Sequence, residues 1–212
     1  DFKDVENGVL KDGVPKQTFT AKVRPGDIKY VDLDKNGFID TYDQMAIGGT
    51  ENPEIVYGFG VNLRWKELDF GAMFQGIGRT WRILSSNIMP ASNKGSMYNI
   101  FDNYQDRWTV DNQSQDVFYP RADYGPNANN SQKSTWWLRN MSFLRLKNLE
   151  LGYSCPKKWL QGFVISNARV FVRGTNLLTF SKFNLWDPEL ATGDGAKYPA
   201  MKSVSVGFDI TF

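Results

Sequence analysis

The chain has 212 residues, enough for one domain with a sizeable core, and it is nearly charge-neutral, with 25 Lys and Arg against 23 Asp and Glu. This balance, without a basic stripe, argues against nucleic acid as a partner. Histidine is absent and Cys155 is the single cysteine, which excludes Ser-His-Asp and Cys-His catalysis and an internal disulfide. Because no clean pair of carboxylates stands in a recognisable setting either, we predict that the chain is not an enzyme.

Aromatic residues make up 15% of the sequence, as is usual for proteins that line a membrane interface with Trp and Tyr. No apolar run approaches the roughly 18 to 20 residues of a transmembrane helix. If the chain crosses a membrane, it therefore does so with strands.

The first informative segment in chain order is residues 32–43, Asp-Leu-Asp-Lys-Asn-Gly-Phe-Ile-Asp-Thr-Tyr-Asp. Oxygen-bearing side chains occupy positions 1, 3, 5, 9 and 12 of this segment, with Gly37 at position 6. The spacing matches the calcium loop of an EF-hand, in which position 7 gives a backbone carbonyl. The predicted ligands are the side chains of Asp32, Asp34, Asn36, Asp40 and Asp43 and the carbonyl of Phe38.

The stretch before this loop, Ile28 to Val31, looks extended rather than helical, so we expect a structural Ca²⁺ and not a sensor. Position 12 is Asp43 rather than the usual Glu, a variant known from dockerin-type loops. The alternative is an Asp-, Asn- and Gly-rich surface turn that binds nothing.

Five later segments alternate between apolar and polar residues with a period of two, which predicts strands. A two-residue turn at Lys66-Glu67 joins the first two as a hairpin. In the third segment the phase slips by one residue, which indicates a β-bulge near Lys147-Asn148. The segments are 55–65, 68–77, 142–153, 168–178 and 201–212.

Two architectures fit the alternation: a soluble β-sandwich that buries the apolar face, or a membrane barrel that turns this face to lipid. The connections favour the barrel. One turn has two residues, the connection 154–167 is of moderate length, and the connections 78–141 and 179–201 are long. Outer-membrane barrels show this pattern, with short periplasmic turns and long outer loops. Five strands cannot close a barrel, so the prediction requires further strands upstream of Asp1.

The residues resemble the SusC/RagA-like TonB-dependent transporters from about Arg24 to Phe212. No single marker is specific, but the order and spacing match the family. The markers include Pro25-Gly26-Asp27-Ile28-Lys29-Tyr30, Asp106-Arg107-Trp108, Tyr119-Pro120-Arg121, Ser142 to Asn148, Gly174-Thr175-Asn176-Leu177, Asp187-Pro188-Glu189 and Gly207-Phe208.

The resemblance implies a 22-stranded antiparallel transmembrane β-barrel in the outer membrane of a Gram-negative bacterium. It implies a plug domain, coupling to the TonB complex, and a SusD-like surface lipoprotein as a lid. The expected organisation is an extracellular loop region over 1–54 and C-terminal barrel strands with long outer loops over 55–212. The plug and the earlier strands are absent, and the chain begins at Asp1 without a signal peptide, as part of something longer would.

The expected function is import of oligosaccharides or oligopeptides across the outer membrane, with lipid around the apolar face. The alternative is a soluble, calcium-stabilised β-sandwich that binds carbohydrate. Phe212 resembles the terminal aromatic that the barrel-assembly machinery recognises. Four cations of the polar face are expected to pair with carboxylates of the plug or of neighbouring segments: Arg145, Lys147, Arg169 and Arg173. Possible contacts with the substrate or the lid are Trp108, Tyr119, Trp136 and Trp137, although packing within the loop is the stronger expectation.

Overall fold

A computed structural model describes residues 1–85, 101–123, 125, 127–162 and 164–212. These ranges contain mostly strands and very little helix, which confirms the all-β class. The helical segments are one turn of α-helix, α1 (Lys157–Leu160), and two 3-10 turns, Asp102–Gln105 and Pro188–Leu190. The strands are β1 (Phe2–Asp4), β2 (Val9–Leu10), β3 (Lys16–Gln17), β4 (Phe38–Ile39), β5 (Ile55–Trp65), β6 (Leu68–Gly78), β7 (Trp81–Ile83), β8 (Leu138–Asn140), β9 (Phe143–Ser154), β10 (Asn167–Ser181) and β11 (Ser203–Thr211).

The chain divides into two compact units. Unit one comprises Asp1–Gly48 and Ile83–Leu138, and unit two comprises Gly49–Arg82 and Arg139–Phe212. The middle of the 78–141 connection is thus grouped with the N-terminal residues, although residues 86–100 of it lie outside the described ranges. Among the helices of the described ranges, none has the length and hydrophobicity needed to span a membrane.

Unit two contains an antiparallel sheet with the strand order β11-β10-β9-β6-β5. Its strands differ from the predicted segments by a few residues at most. The predicted turn joins β5 to β6, with Trp65 opposite Leu68 and Lys66 at a φ of 54°. A left-handed backbone at this position matches the twist of the two strands, which is why such tight turns join hairpins.

One face of this sheet is apolar on all its strands. A representative row across it consists of Leu63, Phe70, Leu151, Val172 and Val206. The outer members of the row are open to the surroundings, and Val206 is 71% exposed. A β-sandwich would pack this face against a second sheet, so the exposure argues against the sandwich and for a face that meets lipid.

The opposite face is polar. The neighbouring row of paired residues consists of Asn62, Gly71, Glu150, Arg173 and Ser205. Successive side chains of a strand point to opposite faces, so this separation follows directly from the alternation in the sequence.

The predicted β-bulge lies at Lys147. On β6, Met73 pairs with Asn148 and the next residue, Phe74, pairs with Leu146, which leaves Lys147 without an opposite residue. The bulge restores the apolar face, because a slip of one residue would otherwise turn every later leucine of β9 to the polar side.

Unit one has short strands and a core built from both of its chain segments. β1 pairs with β2 in an antiparallel manner, and β3 pairs with β4 in a parallel manner. Its buried side chains include Ile28 and Ile39 from the N-terminal segment and Leu84, Tyr119 and Trp137 from the later one. The calcium-type loop and the candidate aromatic residues therefore belong to one packed unit.

Candidate calcium site and transport surface

Three of the predicted calcium ligands converge in the structure. Asp32, Asp34 and Asp43 each place one carboxylate oxygen within 4.8 Å of the other two. Oxygens that share one Ca²⁺ at 2.3 to 2.6 Å lie at most about 5 Å apart, so this spacing suits a single ion. Hard carboxylate and carbonyl oxygens are also the donors that Ca²⁺ prefers.

Backbone hydrogen bonds hold the loop in this shape. The N–H of Gly37 donates to Asp32 Oδ2 at 2.8 Å, and the N–H of Phe38 donates to Asn36 Oδ1 at 2.8 Å. Gly37 has a φ of 86°, in the left-handed region that glycine adopts without strain. Gly37 therefore makes the sharp turn at loop position 6 without strain.

Asp43 closes the loop on itself. Its carboxylate accepts from the N–H of Asp40 at 2.9 Å and from the N–H of Leu33 at 2.6 Å. These two hydrogen bonds, with the one from Asp40 the stronger cause, hold the pKa of Asp43 below its ordinary value. The last residue of the loop is thus fixed beside the first.

The loop is anchored through its apolar residue. Ile39 is 1% exposed, and β4 pairs with β3 through the N–H of Lys16, which donates to the Gly37 carbonyl at 3.0 Å. Thr18 adds a side-chain hydrogen bond to the Ile39 carbonyl at 2.7 Å. The buried side chain at loop position 8 therefore anchors the loop to the rest of unit one.

The remaining predicted ligands are engaged in turns. Asp40 lies outside the carboxylate cluster and accepts from the N–H of Tyr42 at 2.7 Å. Asp32 Oδ1, by contrast, is buried and has no hydrogen-bond partner among the described residues. An unpartnered buried carboxylate oxygen is costly, and a bound cation would satisfy it. The donor set therefore fits Ca²⁺, and a bound ion would remove the cost of the unpartnered Asp32 oxygen.

A buried polar cluster centred on Asp27 ties the two segments of unit one together. The Asp27 side chain is 4% exposed. Its Oδ1 accepts from Arg121 Nε at 2.7 Å, Asn130 Nδ2 at 2.9 Å and Asn127 Nδ2 at 3.1 Å, and its Oδ2 accepts from the N–H of Arg24 at 2.8 Å. In the sequence, Asp27 and Arg121 are recognisable only as family markers, and their contact could not be predicted because no local spacing links residues so far apart.

Tyr30 extends this cluster. Its hydroxyl donates to the Asn129 carbonyl at 2.6 Å, and burial raises the pKa of the Tyr30 hydroxyl, so the proton stays in place. Gly26, at a φ of 87°, lies against the Trp108 ring, where a Cβ would come within 2.3 Å of Trp108 Cε3. Glycine is therefore required beside this ring.

The four aromatic side chains considered as substrate or lid contacts fall into two pairs. Tyr119 and Trp137 are each 1% exposed, with ring centroids 6.4 Å apart, so they pack inside unit one and present no surface to a substrate or a lid. Trp108 and Trp136 are half-buried and line a cavity of about 490 Å³. Of these four side chains, Trp108 and Trp136 are the two that a ligand in this cavity would contact.

The four cations of the polar face that were expected to form ion pairs, Arg145, Lys147, Arg169 and Arg173, do pair with neighbouring carboxylates. Arg169 lies among Asp69, Glu150 and Asp209, with its Nη2 2.6 Å from Glu150 Oε1 and its Nη1 3.4 Å from Asp209 Oδ2. Arg173 contacts Glu150 Oε2 at 2.6 Å. Arg145 and Lys147 pair with Asp187 and Glu189 of the connection between β10 and β11; the Lys147 Nζ lies 3.1 Å from Glu189 Oε1.

Phe212 lies just beyond β11 and is exposed. Trp65 and Tyr153, at the corresponding ends of β5 and β9, are exposed as well. Aromatic residues at the same end of several strands are typical of the interface between lipid and water at one end of a barrel.

Comparison with known proteins gives consistent results. A scan against protein-family models finds no match. The TonB-dependent receptor P26 of Formosa agariphila is 32% identical over 202 residues, which cover 88% of this chain and 20% of that protein. The TonB-dependent receptor SusC of Bacteroides thetaiotaomicron is 24% identical over 205 residues, with 94% of this chain and 19% of SusC covered.

Solved structures agree. The RagAB peptide importer in its open-open state superposes with a TM-score of 0.67 and 33% identity, covering 87% of this chain and 20% of that one. The RagAB peptide transporter gives a TM-score of 0.66, also at 33% identity. The relatives are receptors and transporters and not enzymes, in agreement with the prediction from the missing histidine.

The chain spans about a fifth of the length of these relatives. Its exposed apolar sheet face and polar opposite face are those of a piece of a large antiparallel barrel wall. The chain belongs to the SusC/RagA-like family of TonB-dependent transporters and corresponds to a part of such a transporter.

Proposed function

We propose that this chain forms part of the barrel wall of an outer-membrane transporter, which uses energy from the TonB complex to import oligosaccharides or oligopeptides. The observation that carries the proposal is the continuous apolar face of the five-stranded sheet, exposed opposite a face of paired charges. Lipid can solvate the first face, and a water-filled or plugged lumen can solvate the second.

A SusD-like surface lipoprotein is the proposed partner. Support comes from the similarity to SusC and to the RagAB peptide importer. The long connections of the chain would lie on the outer side, where such a lipoprotein could close over the barrel. The two proposed substrate classes are glycans and peptides, and uptake measurements distinguish them.

The test uses the full-length transporter with an affinity tag, expressed in its own outer membrane. The expected result is a detergent-dependent barrel that co-purifies with a lipidated protein of SusD-like sequence. Uptake of labelled neutral oligosaccharides and labelled peptides is then compared in cells with and without TonB, and one class should enter only with TonB. A protein that is soluble without detergent, or uptake independent of TonB, would contradict the proposal.

We further propose that residues 32–43 bind a structural Ca²⁺. Support comes from the three converging carboxylates, the buried and unpartnered Asp32 Oδ1, and the anchored Ile39. The main ligands would be Asp32, Asp34 and Asp43, with Asn36, Asp40 and the Phe38 carbonyl completing the set. A Kd of about 10⁻⁴ to 10⁻³ M would suffice outside the cell, where calcium is millimolar.

The calcium proposal is tested by titrating Ca²⁺ into the full-length transporter in detergent. Asp32→Asn is expected to weaken calcium binding about tenfold or more, because affinity in such loops depends on the number of ligand charges. Asp12→Asn, an exposed aspartate outside the loop, serves as the control. Equal calcium uptake by the wild type and the Asp32→Asn variant would refute the site.

A further inference from the structure

The connection between β10 and β11, residues 182–202, is fastened to the polar face of the sheet. Arg145 of β9 is 2% exposed and forms ion pairs with both Asp187 and Glu189 of this connection. The Arg145 Nη1 to Glu189 Oε2 distance is 2.9 Å, and Lys147 adds a second cation, 3.1 Å from Glu189. We call this group of four residues the latch.

The local structure of the connection sets up the two carboxylates. Asp187 caps the 3-10 turn Pro188–Leu190, with the N–H of Glu189 donating to Asp187 Oδ1 at 3.0 Å. Phe183 is buried, and its ring meets the Trp186 ring edge-on at 4.9 Å between centroids. The turn and this aromatic pair hold Asp187 and Glu189 in fixed positions, so the connection is a packed element and not a loose loop.

Pairing in the sheet gives the depth of the latch. Arg145 is opposite Gln75 of β6 and Thr179 of β10, all three on the polar face. The residues that flank Thr179 on β10 are Leu178 and Phe180, which point to the apolar face and are 51% and 57% exposed. The latch therefore lies at the level of the exposed apolar band and not beyond the end of the strands.

We propose that the 182–202 connection is a constriction along this wall of the barrel, held against the polar face by the latch, and that it slows bulky hydrophilic solutes on their way past it. The proposal rests on the proposed transport function, because the polar face is a lumen only if the sheet is a barrel wall. Arg145 and its carboxylates are positioning residues, since they act by holding the connection. A loop that extended freely outside the cell would leave Arg145 buried without its counter-charges, which is strongly unfavourable.

The test measures access to a single cysteine placed below the latch. Met73 is exposed on the polar face, two residues before Gln75 on β6 and thus one row closer to the Lys66-Glu67 turn, so Met73→Cys in a Cys155→Ser background reports on the path past the connection. Two membrane-impermeant thiol reagents are added to cells that carry the full-length transporter: a small charged methanethiosulfonate and a maleimide on a long polyethylene glycol chain. With the latch intact, the small reagent should label quickly and the large one slowly.

Breaking the latch should open the path. The double substitution Asp187→Asn and Glu189→Gln keeps side-chain shape, and labelling by the large reagent should rise about tenfold or more, as expected for the loss of charge-assisted hydrogen bonds. Glu189→Gln alone, which keeps the Arg145–Asp187 pair, should give a smaller rise and decides the question if the double variant fails to assemble. Asp194→Asn, in the same connection but with only a local turn hydrogen bond, should leave labelling unchanged.

The outcomes separate the constriction from the transport function. If the large reagent labels Met73→Cys equally fast with and without the latch, the constriction is refuted while the barrel stands. Val206→Cys, on the apolar face, should resist both hydrophilic reagents. If it labels as fast as Met73→Cys, the sheet is not a barrel wall, and the proposed function falls together with this inference.

Discussion

Replacing Asp27 by Asn tests whether the buried charge of this residue holds unit one together. The substitution keeps the shape of the side chain and removes its charge. The Arg121 guanidinium would remain nearly buried, with a carboxylate left only at Asp123, 2.6 Å away. Because one carboxylate oxygen becomes an NH2 group, either the hydrogen bond from the N–H of Arg24 or those from Arg121 and the two asparagines would also be lost.

The size of the effect follows from burial. Removing one partner of a buried ion pair costs about 3 to 5 kcal/mol, because the other charge is left uncompensated. Asp123 still neutralises part of Arg121, so we expect the lower end, about 3 kcal/mol. At about 1.4 kcal/mol per factor of ten, local opening of unit one should become about 100-fold more frequent.

Amide hydrogen exchange, read by mass spectrometry on the full-length transporter in detergent, measures this opening. The informative amides are those bonded within the cluster: Ile28, whose N–H donates to Asn130 Oδ1 at 2.9 Å, and Arg121, whose N–H donates to the Gly26 carbonyl at 2.9 Å. Both should exchange about 100-fold faster in the variant, whereas peptides from β9 and β10 should be unchanged.

The matched control is Asp116→Asn, the same substitution at an exposed aspartate of the same unit. It should leave the exchange of Ile28 and Arg121 as in the wild type. If Asp27→Asn also changes their exchange by less than about threefold, well under 1 kcal/mol, the buried charge does not stabilise unit one and the reasoning is wrong.

Three further predictions follow from other parts of the chain. Val206→Lys should destabilise the folded barrel by about 2 to 4 kcal/mol, as for a charge facing the middle of the bilayer, whereas Ser205→Lys on the polar face should not. The folded fraction is read from heat-modifiable migration in gels, and equal folded fractions of the two variants would contradict the face assignment. Phe212→Ala should lower the assembled fraction in outer membranes more than Phe208→Ala on the same strand, and an equal loss would contradict the barrel-assembly role expected for Phe212. The pKa of Asp43 lies below its ordinary value of 3.8, so its hydrogen bonds to Leu33 and Asp40 should be fully stabilising above pH 3.8 and be lost only as the pH falls through the lower pKa of the folded state. Amide exchange of Leu33 and Asp40 without calcium measures this loss. A midpoint at or above pH 3.8 would be inconsistent with the lowered pKa, and Asp43→Asn should show no such transition.

The sheet of unit two was largely readable from the sequence. Alternation with a period of two fixes which side chains share a face, and a slip in that alternation requires a bulge, so the strands, the Lys66-Glu67 turn and the bulge at Lys147 were all predicted. The convergence of the Asp32, Asp34 and Asp43 carboxylates was readable for a similar reason, whereas calcium binding itself stays a prediction. The spacing of these residues lies within twelve consecutive positions, and such local geometry depends little on the rest of the chain.

Other contacts were decided only by the tertiary structure. Asp27 meets Arg121, and Arg145 meets Asp187, across long stretches of chain with no periodic pattern to connect them. Packing within the loop was the stronger expectation for the four candidate aromatic residues, but only the structure shows that Tyr119 and Trp137 are the buried ones, because an aromatic ring suits a core and a binding surface equally well. Sequence determines what repeats along a strand or lies within one turn, whereas long-range packing decides which charges meet and which rings are covered, since those energies exist only once distant segments are brought together.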